Sequence, residues 1–199
     1  MTNDMRPQAD TLERLEKAEE LKLIGKHKEA LEILEQLLIE DPQNVAALEE
    51  VADNELSMEH HRRAENAAKQ AITIDAQSYT GYYILGFIAS HGEEWVKAIT
   101  FLKRANTLKS NNPEILRCLG WALFNNGERA QGIVTLERAL NLDSDNPLTL
   151  CDLGVTYLHV RNFAKARNLF QRTLELDPQN NRARECVEAV ERLERTARA

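Results

Sequence analysis

Residues 113–146 read PEILRCLGWALFNNGERAQGIVTLERALNLDSDN, and residues 147–180 read PLTLCDLGVTYLHVRNFAKARNLFQRTLELDPQN. Set one above the other, the two stretches keep the same marks in the same places. Pro113 and Pro147 lead, Leu116 and Leu150 follow at the fourth position, and Leu119-Gly120 and Leu153-Gly154 occupy the seventh and eighth. The same period of 34 runs back through the chain as Ala30, Ala64, Ala98, Gly132 and Ala166, with no insertion or deletion. Twelve residues before each small residue stands another, Ala18, Ala52, Gly86, Gly120 and Gly154, and twelve after it come Pro42, Ala76, Ser110, Ser144 and Pro178. A period of this length marks a fold made by stacking one supersecondary unit, each copy covering the apolar face of its neighbour.

The marks define five units, 11–44, 45–78, 79–112, 113–146 and 147–180. Each reads as two helices. Leu116, Leu119, Gly120 and Leu123 recur at helical spacing in the first half of the fourth unit, and Ile133, Leu136, Ala139 and Leu140 in the second. Gly25-Lys26, His91-Gly92, Asn126-Gly127 and Arg161-Asn162 supply turns between the halves. Asn112 and Asn146 precede Pro113 and Pro147 as N-caps, the prolines taking a first-turn position where an N–H is not needed. Pro42 and Pro178 end the second helix of their units. The small residues have a steric purpose: two antiparallel helices close up only where neither projects bulk, so Gly120 and Gly132 are expected at the closest approach of their pair. Large residues such as Leu34, Leu102, Leu136 and Phe170 fill what remains.

These residues resemble the tetratricopeptide repeat (TPR). The fifth unit carries the likeness at Leu150, Leu153-Gly154, Tyr157, Ala166, Phe170 and Pro178, and the fourth at Leu116, Leu119-Gly120, Leu123, Ala139 and the glycine variant Gly132. Five registered copies cover about 170 of the 199 residues. Thr173 replaces a small apolar residue, and Glu55 stands where the pattern prefers a large one. The resemblance implies an all-α, right-handed solenoid of antiparallel helix pairs, with a concave face made mainly by first helices. It implies no particular partner.

Composition agrees with an all-helical chain: few Gly and Pro, and 6% aromatic residues. No run nears the roughly 18 apolar residues of a spanning helix, and the polar start lacks an apolar signal core, so a cytoplasmic protein is expected, with no membrane partner. Residues 1–10 are expected to be disordered. Residues 181–199 make a further helix with an apolar stripe of Ala183, Val187, Val190 and Ala197; it reads as a cap on the open end, or alternatively as an amphipathic docking helix. Cys118, Cys151 and Cys186 form no close-spaced pair and read as free thiols, with a redox link between Cys118 and Cys151 as the alternative. His27, His60, His61, His91 and His159 lack metal-ligand spacing, and neither a phosphate loop nor a nucleophile motif occurs. No enzyme activity, cofactor or metal is expected.

The formal net charge of −7 disfavours nucleic acid. Its distribution is uneven: residues 1–78 carry 18 acidic and 9 basic side chains, residues 79–199 carry 14 and 16. By the resemblance, first-helix positions facing the groove include Glu16, Glu19, Lys22, Glu49, Glu50 and Asp53 in the first two units. In the later ones they include Tyr83, Ile84, Phe87, Arg117, Cys118, Trp121, Phe124, Val155 and Leu158. An acidic entrance and an apolar, aromatic interior follow. The alternative for Tyr83 and Phe124, and to a lesser degree for Phe87 and Trp121, is packing between neighbouring first helices. Some TPR proteins hold a C-terminal carboxylate with a Lys, Asn and Arg clamp. The matching positions here, among them Leu15, Glu19, Glu50, Thr80, Ile84, Glu114, Cys118 and Asp152, supply no such cations. The reading is a non-enzymatic adaptor or scaffold for a protein or peptide with apolar anchors and a basic flank. A dedicated chaperone for a secreted or aggregation-prone client is the alternative, and a self-associating structural scaffold the third.

Overall fold

The structure is a computed structural model that describes the backbone of residues 5–198 and the side chains of residues 9–196. Among these residues there are eleven α-helices and no strand. They are α1 (Met5–Leu23), α2 (His27–Glu40), α3 (Val45–Ser57), α4 (His61–Ile74), α5 (Tyr79–His91), α6 (Trp95–Leu108), α7 (Pro113–Asn125), α8 (Arg129–Leu142), α9 (Pro147–His159), α10 (Phe163–Leu176) and α11 (Asn181–Arg198). The fold class is all-α, built of antiparallel helix pairs of the TPR-solenoid kind. Of the start expected to lack structure, residues 1–4 lie outside the described residues, while residues 5–10 form the opening turns of α1. The chain divides into two compact units, residues 1–92 and 93–199, the division falling between α5 and α6 inside the third repeat.

Local chemistry sets where each helix starts. Asn44, Ser78, Asn112, Asn146 and Asn180 stand one repeat apart, and each side chain accepts a hydrogen bond from a backbone N–H three residues on, at 3.0–3.1 Å. Pro113 and Pro147 occupy the first helical position after their caps. At the other end, α2 and α10 stop just before Asp41-Pro42 and Asp177-Pro178. Within each repeat the two helices are joined by a sharp turn whose middle residue is left-handed: Gly25 (φ 75°), Glu59 (62°), Glu93 (56°), Gly127 (96°) and Arg161 (60°).

In the first unit the core gathers Ala18, Leu21, Ala30, Leu31, Leu34, Leu37 and Ala47. The contribution of α4 is four alanines, Ala64, Ala67, Ala68 and Ala71. Glu55, out of place by the repeat pattern, is 4% exposed yet accounted for: it accepts from His60 Nδ1 at 2.6 Å and from Arg63 Nη1 at 3.3 Å. In the second unit, α7 and α8 meet where a Cβ on Gly132 would lie 2.7 Å from the Gly120 carbonyl oxygen, the close approach that the spacing demands. A Cβ on Gly154 would strike the Phe170 ring at 2.6 Å. Leu136, Cys151, Leu153, Tyr157, Ala166, Phe170 and Val190 form the core there. Helix α11 buries Ala183 and Val190 and is tied to α10 by an Arg167–Glu194 ion pair. Ala197, the last residue of its expected stripe, lies beyond the described side chains.

Candidate functional site

The first-helix residues of the first unit are mostly engaged with one another. Lys22 on α1 bridges α3, with Nζ 2.9 Å from Glu50 Oε2 and 2.7 Å from Asp53 Oδ2. Burial lowers the Lys22 pKa, but its hydrogen bonds to Asp53 and Glu50 outweigh that and raise it on balance. Glu49 accepts from the Ser78 hydroxyl at 2.5 Å, which ties α3 to the start of α5. Burial nevertheless lifts the Glu49 carboxyl above its ordinary value. The expected acidic face is thus reduced: Lys22 offsets one of the two charges of Glu50 and Asp53, Glu49 is tied to Ser78, and Glu16 and Glu19 are exposed. On α5, Tyr83, Phe87 and His91 stand a turn apart as a column of rings, with centroids 6.3 and 5.6 Å apart, and His61 of α4 continues it at 5.3 Å from His91. Tyr83 and Phe87 are partly exposed. Ile84, expected at the groove, is instead fully buried.

In the second unit a charged chain runs across the first helices. Arg117 of α7 is hydrogen-bonded to Glu114 at 2.9 Å and to Asp152 of α9 at 2.7 Å, and Arg182 of α11 lies 3.9 Å from the same carboxylate. Burial works against the Arg117 charge, but Glu114 and Asp152 raise its pKa on balance. Burial lifts Asp152 above the usual carboxylate range even though Arg117 opposes the rise. Burial also pushes Cys118 to about 12 and Cys151 to about 11, so both are neutral thiols at pH 7 and poor nucleophiles.

A second contact between α7 and α9 sets Phe124 edge-on to His159, with ring centroids 5.9 Å apart. Phe124 is 6% exposed, so it packs between helices as the alternative reading allowed; Cys118, also expected at the groove, is buried with it. Between the Arg117–Asp152 and Phe124–His159 contacts, Trp121 on α7 and Val155 on α9 hold equivalent positions, and both are partly exposed, as is Leu158. The result is an apolar patch on a frame pinned at both ends. Sequence reasoning missed the partnership of Lys22 with Glu50 and Asp53, and that of Arg117 with Asp152. Both join residues 28 to 35 apart, and the 34-residue register could have found them.

Among the described residues no group of three or more His, Cys, Asp or Glu side chains could hold a metal ion. No described helix is long and apolar enough to cross a membrane.

Residues 147–180 match the family model for the tetratricopeptide repeat. No curated protein sequence matches the chain. Among solved structures, it is similar to TTC0263, a thermophilic TPR protein of Thermus thermophilus. The TM-score is 0.72 at 22% identity, covering 90% of this chain and 97% of that one. YrrB, a TPR protein with an unusual peptide-binding site, gives a TM-score of 0.65 at 20% identity, covering 88% and 90%. A chain of the APC/C hetero-tetramer Cut9–Hcn1 gives 0.83 at 21% identity; it covers 96% of this chain, which spans 38% of that one. At such identities the likeness is one of fold.

Proposed function

The chain is a tetratricopeptide-repeat protein, and on that premise we propose that it is a non-enzymatic adaptor whose second unit holds a segment of another protein on the face of α7 and α9. The fold itself supports protein–protein interaction in general, and YrrB is a relative in fold that carries a peptide-binding site. The observation that carries the finer reading is the partly exposed Trp121, Val155 and Leu158 patch between two interhelical contacts. An exposed Trp on a rigid backbone offers a large contact area at little entropic cost, the usual character of an interface anchor. Arg117, nearly enclosed by Glu114 and Asp152, holds the frame rather than the partner. Tyr83 and Phe87 offer a smaller apolar surface on the first unit. There, Glu16 and Glu19 are the carboxylates suited to a basic flank, while Glu49, Glu50 and Asp53 are spoken for.

Partner capture tests this directly. Val155→Arg places a cation in the middle of the patch at a half-buried residue that also packs against the core of the second unit, so some loss of Tm is expected. The captured partner should be lost while the helical signal shows the protein still folded. Undiminished capture by a folded Val155→Arg protein would remove the α7/α9 face from consideration.

A further inference from the structure

The second unit has another concavity, made by α8, α9 and α10, that the α7/α9 face does not involve. Its volume is about 420 Å3. Its floor is apolar, formed by Leu140, Leu153 and Leu169. One end is closed by three polar groups that satisfy each other. The Tyr157 hydroxyl donates to Glu137 and accepts from Lys165 Nζ at 2.9 Å. The ammonium also lies 4.6 Å above the Tyr157 ring and 3.7 Å from Glu137. One cation and one anion are thus spent on each other, and that end carries no net charge. Asn141 on α8 and Asn168 on α10 also line the pocket. Their carboxamides are exposed, and neither makes a hydrogen bond to another described residue.

We propose that this pocket receives one uncharged apolar side chain of an extended segment from another protein, with Asn141 and Asn168 hydrogen-bonding the peptide groups on either side of it. A carboxamide carries a donor and an acceptor side by side, the complement of a peptide group. An extended strand has those groups free. A helix has already paired its own within the helix, so it would leave both asparagines to water. The apolar floor and neutral rim exclude a charged side chain, which would lose its hydration with no counter-ion to meet. The inference is independent of the α7/α9 reading, since it uses a different set of side chains, Leu153 and Tyr157 of α9 among them, and involves neither Trp121, Val155 nor Leu158.

The test is an NMR titration of the 15N-labelled full chain with the peptide acetyl-Gly-Gly-Leu-Gly-Gly-amide. Two control peptides accompany it: one with Glu in place of the central Leu, and one N-methylated at the peptide nitrogens flanking that Leu. The side-chain NH2 signals of Asn141 and Asn168, assigned by their loss in Asn141→Ala and Asn168→Ala, should shift with the first peptide. The Glu peptide should leave them in place. The double alanine variant should bind the first peptide about tenfold more weakly, the loss expected for two modest hydrogen bonds, and N-methylation should cost the wild-type protein as much. Unmoved Asn signals, equal binding of the methylated peptide, or shifts confined to Trp121, Val155 and Leu158 would overturn the proposal. The methylated peptide is tested on unaltered protein, so the result does not depend on how the variants fold.

Discussion

Every within-repeat turn passes through one left-handed residue, and only two of the five are glycine. An L-residue held there costs roughly 1–2 kcal/mol, while glycine adds back about 0.5–1 kcal/mol of unfolded-state entropy. Arg161→Gly and Glu59→Gly should therefore stabilise the protein by about 0.5 kcal/mol each, and Gly127→Ala should cost ~1 kcal/mol. Chemical denaturation checks the signs, and a loss of stability in both glycine variants would contradict the turn geometry. Gly25 and Gly127 announce this position in the sequence. Glu59, Glu93 and Arg161 do not, because nothing in a charged side chain marks a positive φ; only their shared register with the glycines does. Glu49 gives a second test at this scale. Burial holds its folded pKa above the unfolded one. The cost of burying its charge is thus absent below the unfolded pKa, about 4.3, and complete above the folded pKa. Glu49→Gln keeps an acceptor for Ser78 and removes the charge. It should raise Tm at pH 7, the gain fading as the pH falls toward about 4. An equal change at both pH values would contradict that reading.

Among the elements, α7 and α8 meet at a glycine on each side, Gly120 against Gly132. A Cβ on Gly120 would already lie 2.8 Å from Leu136 Cγ and 2.9 Å from the Gly132 carbonyl oxygen. Gly120→Leu should destabilise the protein by at least ~2 kcal/mol through overpacking. A loss no larger than that of Gly127→Ala would mean that the two helices separate freely. The second repeat is thin by comparison. Its α4 buries alanines alone, whereas α7 to α10 bury Leu116, Leu123, Leu136, Leu150 and Phe170. Burial of apolar area is the main favourable term, so local opening should be easier where there is less of it. Amides of residues 45–76 should exchange faster than those of residues 113–176 in native-state hydrogen exchange, and uniform protection would refute this. Glu55 adds less to the weakness of this repeat than the repeat pattern implied, since His60 and Arg63 satisfy its carboxylate. Element starts were readable at Asn112 and Asn146 because an amide before proline is a strong signal. Asn44, Ser78 and Asn180 do the same work with no proline behind them, so only the period reveals them.

On the scale of the whole molecule, the 34-residue period carried the fold because each copy repeats the same steric demand at the same place. The candidate site was legible only in part. First-helix positions came from the repeat register, and they placed Trp121, Val155 and Leu158 among partly exposed residues. The same register counted Ile84, Cys118 and Phe124 as groove residues, although they are buried. Exposure at those positions depends on what the next helix presents, such as His159 against Phe124, and one repeat read alone does not contain that information. The charge count likewise gave an acidic face but not its partial offset by Lys22. On the proposed function, a folded repeat frame displays Trp121 as the main anchor for a protein partner. The most direct measurement of this is the dissociation rate of the captured partner from wild type and from Trp121→Ala, with circular dichroism and melting recorded on both. Loss of ~2 kcal/mol should appear as about thirtyfold faster dissociation with the helical signal and Tm preserved. An unchanged dissociation rate in a folded Trp121→Ala protein would contradict the account.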